Sequence, residues 1–182
     1  MTLETQSKRK LRYEDYAAIP DDGLRHEIVD GEHFVNAAPS PRHQLAVVHL
    51  VSELHKQIAI PRRGLVFVAP LDVELSPHVI VQPDIVIVLA QHESIVTPTR
   101  IIGAPDVLIE IISTSTSKHD RVRKKDAYER SGVPEYWIVD PAARAVEQYV
   151  LVDGGYQLQS PADVIRLAAL PDVAVSLAEL WQ

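Results

Sequence analysis

No cysteine occurs among the 182 residues. Disulfides, thiolate zinc sites and cysteine nucleophiles are therefore excluded, and a reducing cytoplasm suits the chain. Positive charge is also scarce: 18 Lys and Arg against 25 Asp and Glu give a net charge of −7. A basic coat able to hold nucleic acid by charge alone is missing, so contact with phosphate requires a local patch or a bound cation. No apolar run reaches bilayer-spanning length. The polar start MTLETQSKRKLRYED, with its basic cluster Lys8, Arg9, Lys10 and Arg12, carries no secretory signal. A soluble cytoplasmic protein with no membrane partner is expected. The eight histidines show no HExxH-like ligand spacing, so zinc is not expected. G-x-x-x-x-G-K-[ST] and G-x-S-x-G are absent too, which speaks against a nucleotide-cradling loop and a serine hydrolase. No internal repeat, low-complexity segment or linker is visible.

What remains is ordinary globular composition, with 46% hydrophobic and 24% charged residues. The length suits one domain with a proper core. Residues 1–10 read as a loose tail and 11–182 as that domain. YEDYAAIP is a short helix ended before Pro20. RHEIVDGEHFVNA is a hairpin through Asp30-Gly31. A longer helix follows, with Ser40 as its cap and Pro41 in its first position. Leu45, Val48, Val51, Leu54 and Ile58 make its expected apolar face. GLVFVAPLDVEL gives one or two strands, VIVQPDIVIVLA another, and DVLIEIIS the next. A helix over 117–131 stops at Gly132 and Pro134. EYWIVDP is a strand, AVEQYVLVDGGYQLQ a hairpin, and SLAELWQ a capped terminal helix. The pattern predicts an α/β (α+β) fold: a mixed β-sheet flanked by helices.

One strand carries a contradiction. Val107, Leu108, Ile109, Ile111 and Ile112 are apolar, yet Glu110 stands among them. An unpaired buried carboxylate costs several kcal/mol or takes up a proton. Asp84 is a similar exception, between Pro83 and IVIVL. Carboxylates on neighbouring strands can bind Mg²⁺, which activates water and stabilises charge on phosphate. The helix after Glu110 supplies Lys118, Arg121, Arg123, Lys124, Lys125 and Arg130. Lys124 and Tyr128, four apart, share a face, with Asp120 one turn earlier.

Each residue has a plainer reading. Asp84 alone would be a strand-start cap. Glu110 could be half of a structural ion pair. A lysine in a charged helix is usually solvated. Glu27 divides between an exposed strand acid and an accessory metal role. His43, in the first turn of its helix, could orient Asp84 or approach phosphate, or simply face solvent. Gln82, two before Asp84, should share its face and bond a ligand or water, or else cap the sheet edge. The run Ser113–Ser117 could offer donors to phosphate, though a capping loop is commoner. Tyr128, Tyr136 and Trp137 could stack on bases, but Trp137 fits a core better.

Taken together, HEIVDGE, APSPRHQ, VQPDIVIV and EIISTSTSKHDRVRKKDAYERSGVPEYWIVDP resemble the Uma-type restriction endonucleases, a bacterial branch of the PD-(D/E)XK, or restriction-endonuclease-like, nucleases. The resemblance runs from about residue 25 to SLAEL. It implies a restriction-endonuclease-like core and Mg²⁺-dependent hydrolysis of phosphodiesters, with Mn²⁺ as a substitute. DNA is the implied substrate ahead of RNA, and a homodimer would serve to cut both strands. Asp84 and Glu110 match the acids that bind the metal. The superfamily lysine two residues after the second acid is missing, since Ile112 stands there. In this branch the lysine sits on the following helix, matching Lys124, with Lys125 the alternative. Glu27 matches an early acid of the family. A nuclease-like module that binds nucleic acid or a protein without cutting is the second expectation.

Overall fold

The computed structural model describes residues 9–112 and 118–181. After a one-turn helix α1 (Tyr13–Ala17), strands β1 (Arg25–Val29) and β2 (Glu32–Asn36) form a hairpin. Asp30 and Gly31 both have positive φ, at 55° and 81°, the requirement of a tight two-residue turn. Helix α2 (Pro41–Leu54) starts as expected: the Ser40 hydroxyl accepts the His43 N–H and Pro41 fills the first turn. The helix runs on as a wider π-turn over His55–Ala59.

Strands β3 (Gly64–Val68), β4 (Val73–Ser76), β5 (Val79–Val81), β6 (Ile85–Leu89), β7 (Ile101–Ile102) and β8 (Val107–Ile111) follow. Helix α3 (Lys118–Arg130) then leads to β9 (Glu135–Asp140), β10 (Ala145–Val152) and β11 (Gly155–Gln159). The chain closes with β12 (Val164–Arg166), β13 (Ala174–Ser176) and α4 (Leu177–Leu180), the last capped by Ser176.

The strands fall into two large sheets and a small one, where one sheet was expected. The first runs β2-β1-β5-β4-β7, the second β11-β10-β9-β8-β6-β3, and β12 pairs with β13. The stretch VIVQPDIVIVLA is accordingly two strands in different sheets, not one. Gln82, Pro83 and Asp84 make the crossing, where proline cannot donate to a ladder. GLVFVAPLDVEL divides in the same way, between β3 and β4.

Strand β8 lies between antiparallel β6 and parallel β9, with α3 as the parallel crossover. Its side chains alternate. Val107, Ile109 and Ile111 join a core with Ala46, Leu50, Leu54 and Ile58 of α2 and its continuation. Leu108 faces the other core, with Ala127 and Tyr128 of α3. Glu110 follows Leu108 by two and so belongs to the α3 side.

The buried stripe of α2 differs from the expected one. Leu54 and Ile58 are buried, but Leu45 is 56% and Val48 64% exposed, and Ala46 and Leu50 take their place. Both rows are apolar at helical spacing, and the small Ala46 allows close approach to the sheet.

Candidate active site

Strand β1 sends Arg25 and Glu27 to one face of the first sheet. The β6–β8 register pairs Ile85 with Ile109 and Val86 with Leu108. Continued by one residue, it sets Asp84 opposite Glu110. Helix α3 packs over β8 and supplies Lys124 and, one turn on, Tyr128. Four separate segments therefore contribute to one cluster.

Lys124 Nζ donates to Glu27 Oε1 at 2.8 Å and to Glu110 Oε1 at 2.9 Å. The Tyr128 hydroxyl donates to the same Glu110 oxygen at 2.7 Å. Glu27, only 1% exposed, also accepts from the Asn36 side chain at 2.8 Å and the Gln82 backbone N–H at 2.8 Å. Asp84 is held from three sides. Its Oδ2 accepts the Ile111 N–H at 2.8 Å and faces His43 Nε2 at 3.0 Å. Its Oδ1 accepts from Arg25 at 3.1 Å. Arg25 also donates to the Gln82 carbonyl.

The electrostatics separate the three acids. Burial raises the Glu27 carboxyl, but Lys124 and the three hydrogen bonds outweigh it and leave the group below its ordinary value. Asp84 behaves alike: burial opposes ionisation, and His43, the Ile111 N–H and Arg25 more than restore it. Glu110 goes the other way. Burial, with the charges of Asp84 and Glu27, overcomes Lys124 and Tyr128 and pushes it up to about 7. Burial would discharge Lys124, yet Glu110 and Glu27 hold it above the usual lysine value. It is a charged donor near neutral pH, not a base.

The structure thus brings Asp84, Glu110, Lys124, Glu27 and His43 together. Lys125 stands apart: its ammonium lies 5.4 Å from the centre of the Tyr149 ring and 3.9 Å from Asp126. Gln82 does not share a strand face with Asp84, because both lie in the crossing between sheets. Its side chain donates to Tyr16 at 3.0 Å and Asp72 at 2.9 Å, and only its backbone reaches Glu27. The exposed-acid reading of Glu27 is overturned by its burial. Tyr128, Tyr136 and Trp137 are buried, so none offers a face to a base. The Ser113–Ser117 run and the Lys8 side of the basic cluster lie outside the described residues, as does the Asp120 side chain. Arg25, Asn36 and the Ile111 N–H went unrecognised in the sequence. Arg25 had one signal, its i, i+2 relation to Glu27 on a strand.

A buried carboxylate at a strand crossing, a second inside β8, a buried lysine between acids and mixed sheets flanked by helices define an α+β protein with a candidate active site. Residues 13–178 match the Uma2 family, described as "Putative restriction endonuclease", and the chain belongs to that family. A crystal structure of a putative nuclease belonging to DUF820 from Anabaena variabilis has the same fold, with a TM-score of 0.79. Identity to it is 19%, covering 94% of this chain and 97% of that one. No curated protein matches the chain. Among the described residues no helix is long and apolar enough to cross a membrane.

Proposed function

We propose that the protein is a Mg²⁺-dependent endonuclease that hydrolyses phosphodiester bonds in DNA, with Mn²⁺ able to replace Mg²⁺. The observation that carries this is the meeting of Asp84, Glu110 and Lys124 from three elements, with Lys124 2.9 Å from Glu110. The donors suit a hard cation, being carboxylate oxygens with no sulfur. Glu110 is raised to about 7 chiefly by burial and then by the charges of Asp84 and Glu27, and a divalent ion beside it would favour the ionised form. Among the described residues no three of His, Asp and Glu form a ready metal cage. Mg²⁺ keeps several waters and needs only one or two carboxylates.

Asp84 and Glu110 would hold the ion, and the ion would supply a more acidic water and charge neutralisation at phosphate. Lys124, charged and fixed by two acids, orients the attacking water or steadies charge on the phosphate. Glu27 acts through Lys124, as its counter-charge. The working domain would span residues 11–182 and act in the cytoplasm, and two copies would cut opposite strands.

The second reading is a module that binds nucleic acid or a protein without cutting. It is favoured by Asp84, whose two oxygens both already meet protein donors. The test is cleavage of supercoiled plasmid and single-stranded DNA with Mg²⁺ or Mn²⁺, beside Glu110→Ala and Lys124→Met. Cutting by the wild type alone supports the enzyme. Equal cutting by Glu110→Ala rejects the site, and DNA binding without cutting supports the module.

A further inference from the structure

The first two turns of α2, the β9–β10 turn and the end of α4 enclose a cleft of about 270 Å³ lined by Arg42, Leu45, His49, Pro141, Arg144 and Trp181. It shares no residue with the catalytic cluster. We propose that this cleft seats the backbone of a bound DNA strand flanking the cut, with Arg42 and Arg144 on its phosphates. The inference rests on the reading of nucleic acid as the substrate and adds a surface outside the reacting centre.

Three observations carry it. First, the two arginines are left free by the fold. Arg25, Arg63, Arg100, Arg123 and Arg130 are each paired with an acid. The exposed Arg42 and Arg144 side chains have no hydrogen-bond or ion-pair partner among the described residues. A chain of net charge −7 holds a polyanion only through cations that its own acids have not neutralised. Second, no acid among the described residues lines the cleft. The nearest in sequence, Asp140, is occupied by backbone: its Oδ1 accepts the Ala142 and Ala143 N–H groups at 3.0 and 2.9 Å. Arg144 follows in that turn with a φ of 51°, a conformation that glycine or asparagine takes at less cost. An arginine stands there although its side chain makes no bond within the fold, as at a position kept for function. Third, the cleft joins charge to apolar surface. Leu45 is 56% exposed, and the half-buried Trp181 lines the same cleft. Guanidinium groups beside an indole suit a nucleotide, which carries phosphate and a flat base on one unit. A carboxylate-rich peptide offers the charge without the flat ring. Arg42 also adjoins His43, which faces Asp84 at 3.0 Å, so a strand leaving the catalytic cluster meets the cleft across the first turn of α2.

The test is fluorescence anisotropy of a labelled DNA oligonucleotide, single-stranded or duplex, whichever the wild type binds more tightly, with chelator so that nothing is cut. Arg42→Gln, Arg144→Gln and the double variant are compared with Arg62→Gln. Arg62 is also exposed and unpaired among the described residues, but it lies beyond the other end of the helix. Arg42→Gln and Arg144→Gln should each bind ~10-fold more weakly at low salt, the scale of one charge-assisted bond. The slope of log affinity against log salt should become shallower by ~0.7–0.9 for each arginine removed. Arg62→Gln, with the same change of charge, should match the wild type. Circular dichroism reports folding, and Arg144→Asn, which suits the turn, replaces Arg144→Gln if that variant does not fold. No DNA binding by the wild type, or equal affinities and slopes in all variants, overturns the proposal. Displacement of the DNA by polyglutamate at equal charge concentration also overturns it, marking an acidic-peptide surface instead. Plasmid cleavage unchanged in the double variant rejects the cleft and spares the nuclease reading. DNA binding that needs both arginines, with no cleavage by the wild type in Mg²⁺ or Mn²⁺, does the reverse.

Discussion

At the scale of single residues, the site is a balance of buried charges whose signs differ from group to group. Glu110 has a folded value near 7, above the ordinary carboxylate value of 4.5. Between those values the folded protein keeps a proton that the unfolded chain has released. This group's contribution to stability therefore declines as pH rises through that window and stays unfavourable above it. In chelator, Glu110→Gln should melt at a higher temperature than wild type at pH 8, with the gap narrowing at pH 5. Thermal melts of both proteins at the two pH values check this, and a gap that widens toward pH 5 contradicts the assignment. Lys124 is the opposite case. Lys124→Met leaves Glu27 and Glu110 buried without their cation, a loss of ~3–5 kcal/mol. Lys125→Met removes only a partly exposed contact and should change stability by less than ~0.5 kcal/mol. Denaturant unfolding of the two variants separates these neighbours independently of any activity.

At the scale of elements, α2 and β8 decide where the site lies. β8 is apolar on both faces, and its parity alone turns Glu110 toward α3 rather than α2. α2 carries two apolar rows, and the one that packs is Ala46, Leu50, Leu54 and Ile58. Leu50→Ala should cost ~2–5 kcal/mol by opening a cavity in the core, whereas Leu45→Ala should stay within ~0.5 kcal/mol. Equal losses in chemical denaturation would place both rows in the core. The rotation has a chemical consequence as well. It directs His43, three residues before Ala46, down onto Asp84.

At the scale of the whole molecule, a buried acid ties the C-terminal segment to the main sheet. Glu135 accepts from Trp137 Nε1 at 2.6 Å, Gln148 Nε2 at 2.7 Å and the Ala168 N–H at 2.8 Å. Burial still raises its pKa against these donors. Glu135→Ala would strand the Trp137 and Ala168 N–H groups, each costing ~1–3 kcal/mol when buried and unpaired, while Gln148 keeps the Arg166 carbonyl. Faster amide exchange at Ile165 and Val175, with β8 amides still protected, is the expected result. Uniform loss of protection would mean that the segment has no separate stability.

Much of this protein was legible as sequence because the signals are local. Hairpin turns need residues that accept positive φ, caps need a hydroxyl before the first turn, and strand periodicity shows an acid out of place. Asp84, Glu110 and Lys124 could be singled out on those grounds with the family resemblance, and the fold class followed from the run of elements. Other features depended on partners distant in the chain. Whether residues 79–89 make one strand or two depends on which sheets they join. Whether Leu45 or Leu50 is buried depends on how α2 lies on the second sheet. Arg25 and Asp84 are 59 positions apart and meet only because β1 and the β5–β6 crossing converge. The sequence by itself determined which side chains could do chemistry; tertiary packing decided which of them share a charge, because burial and distance set the strength of electrostatic coupling.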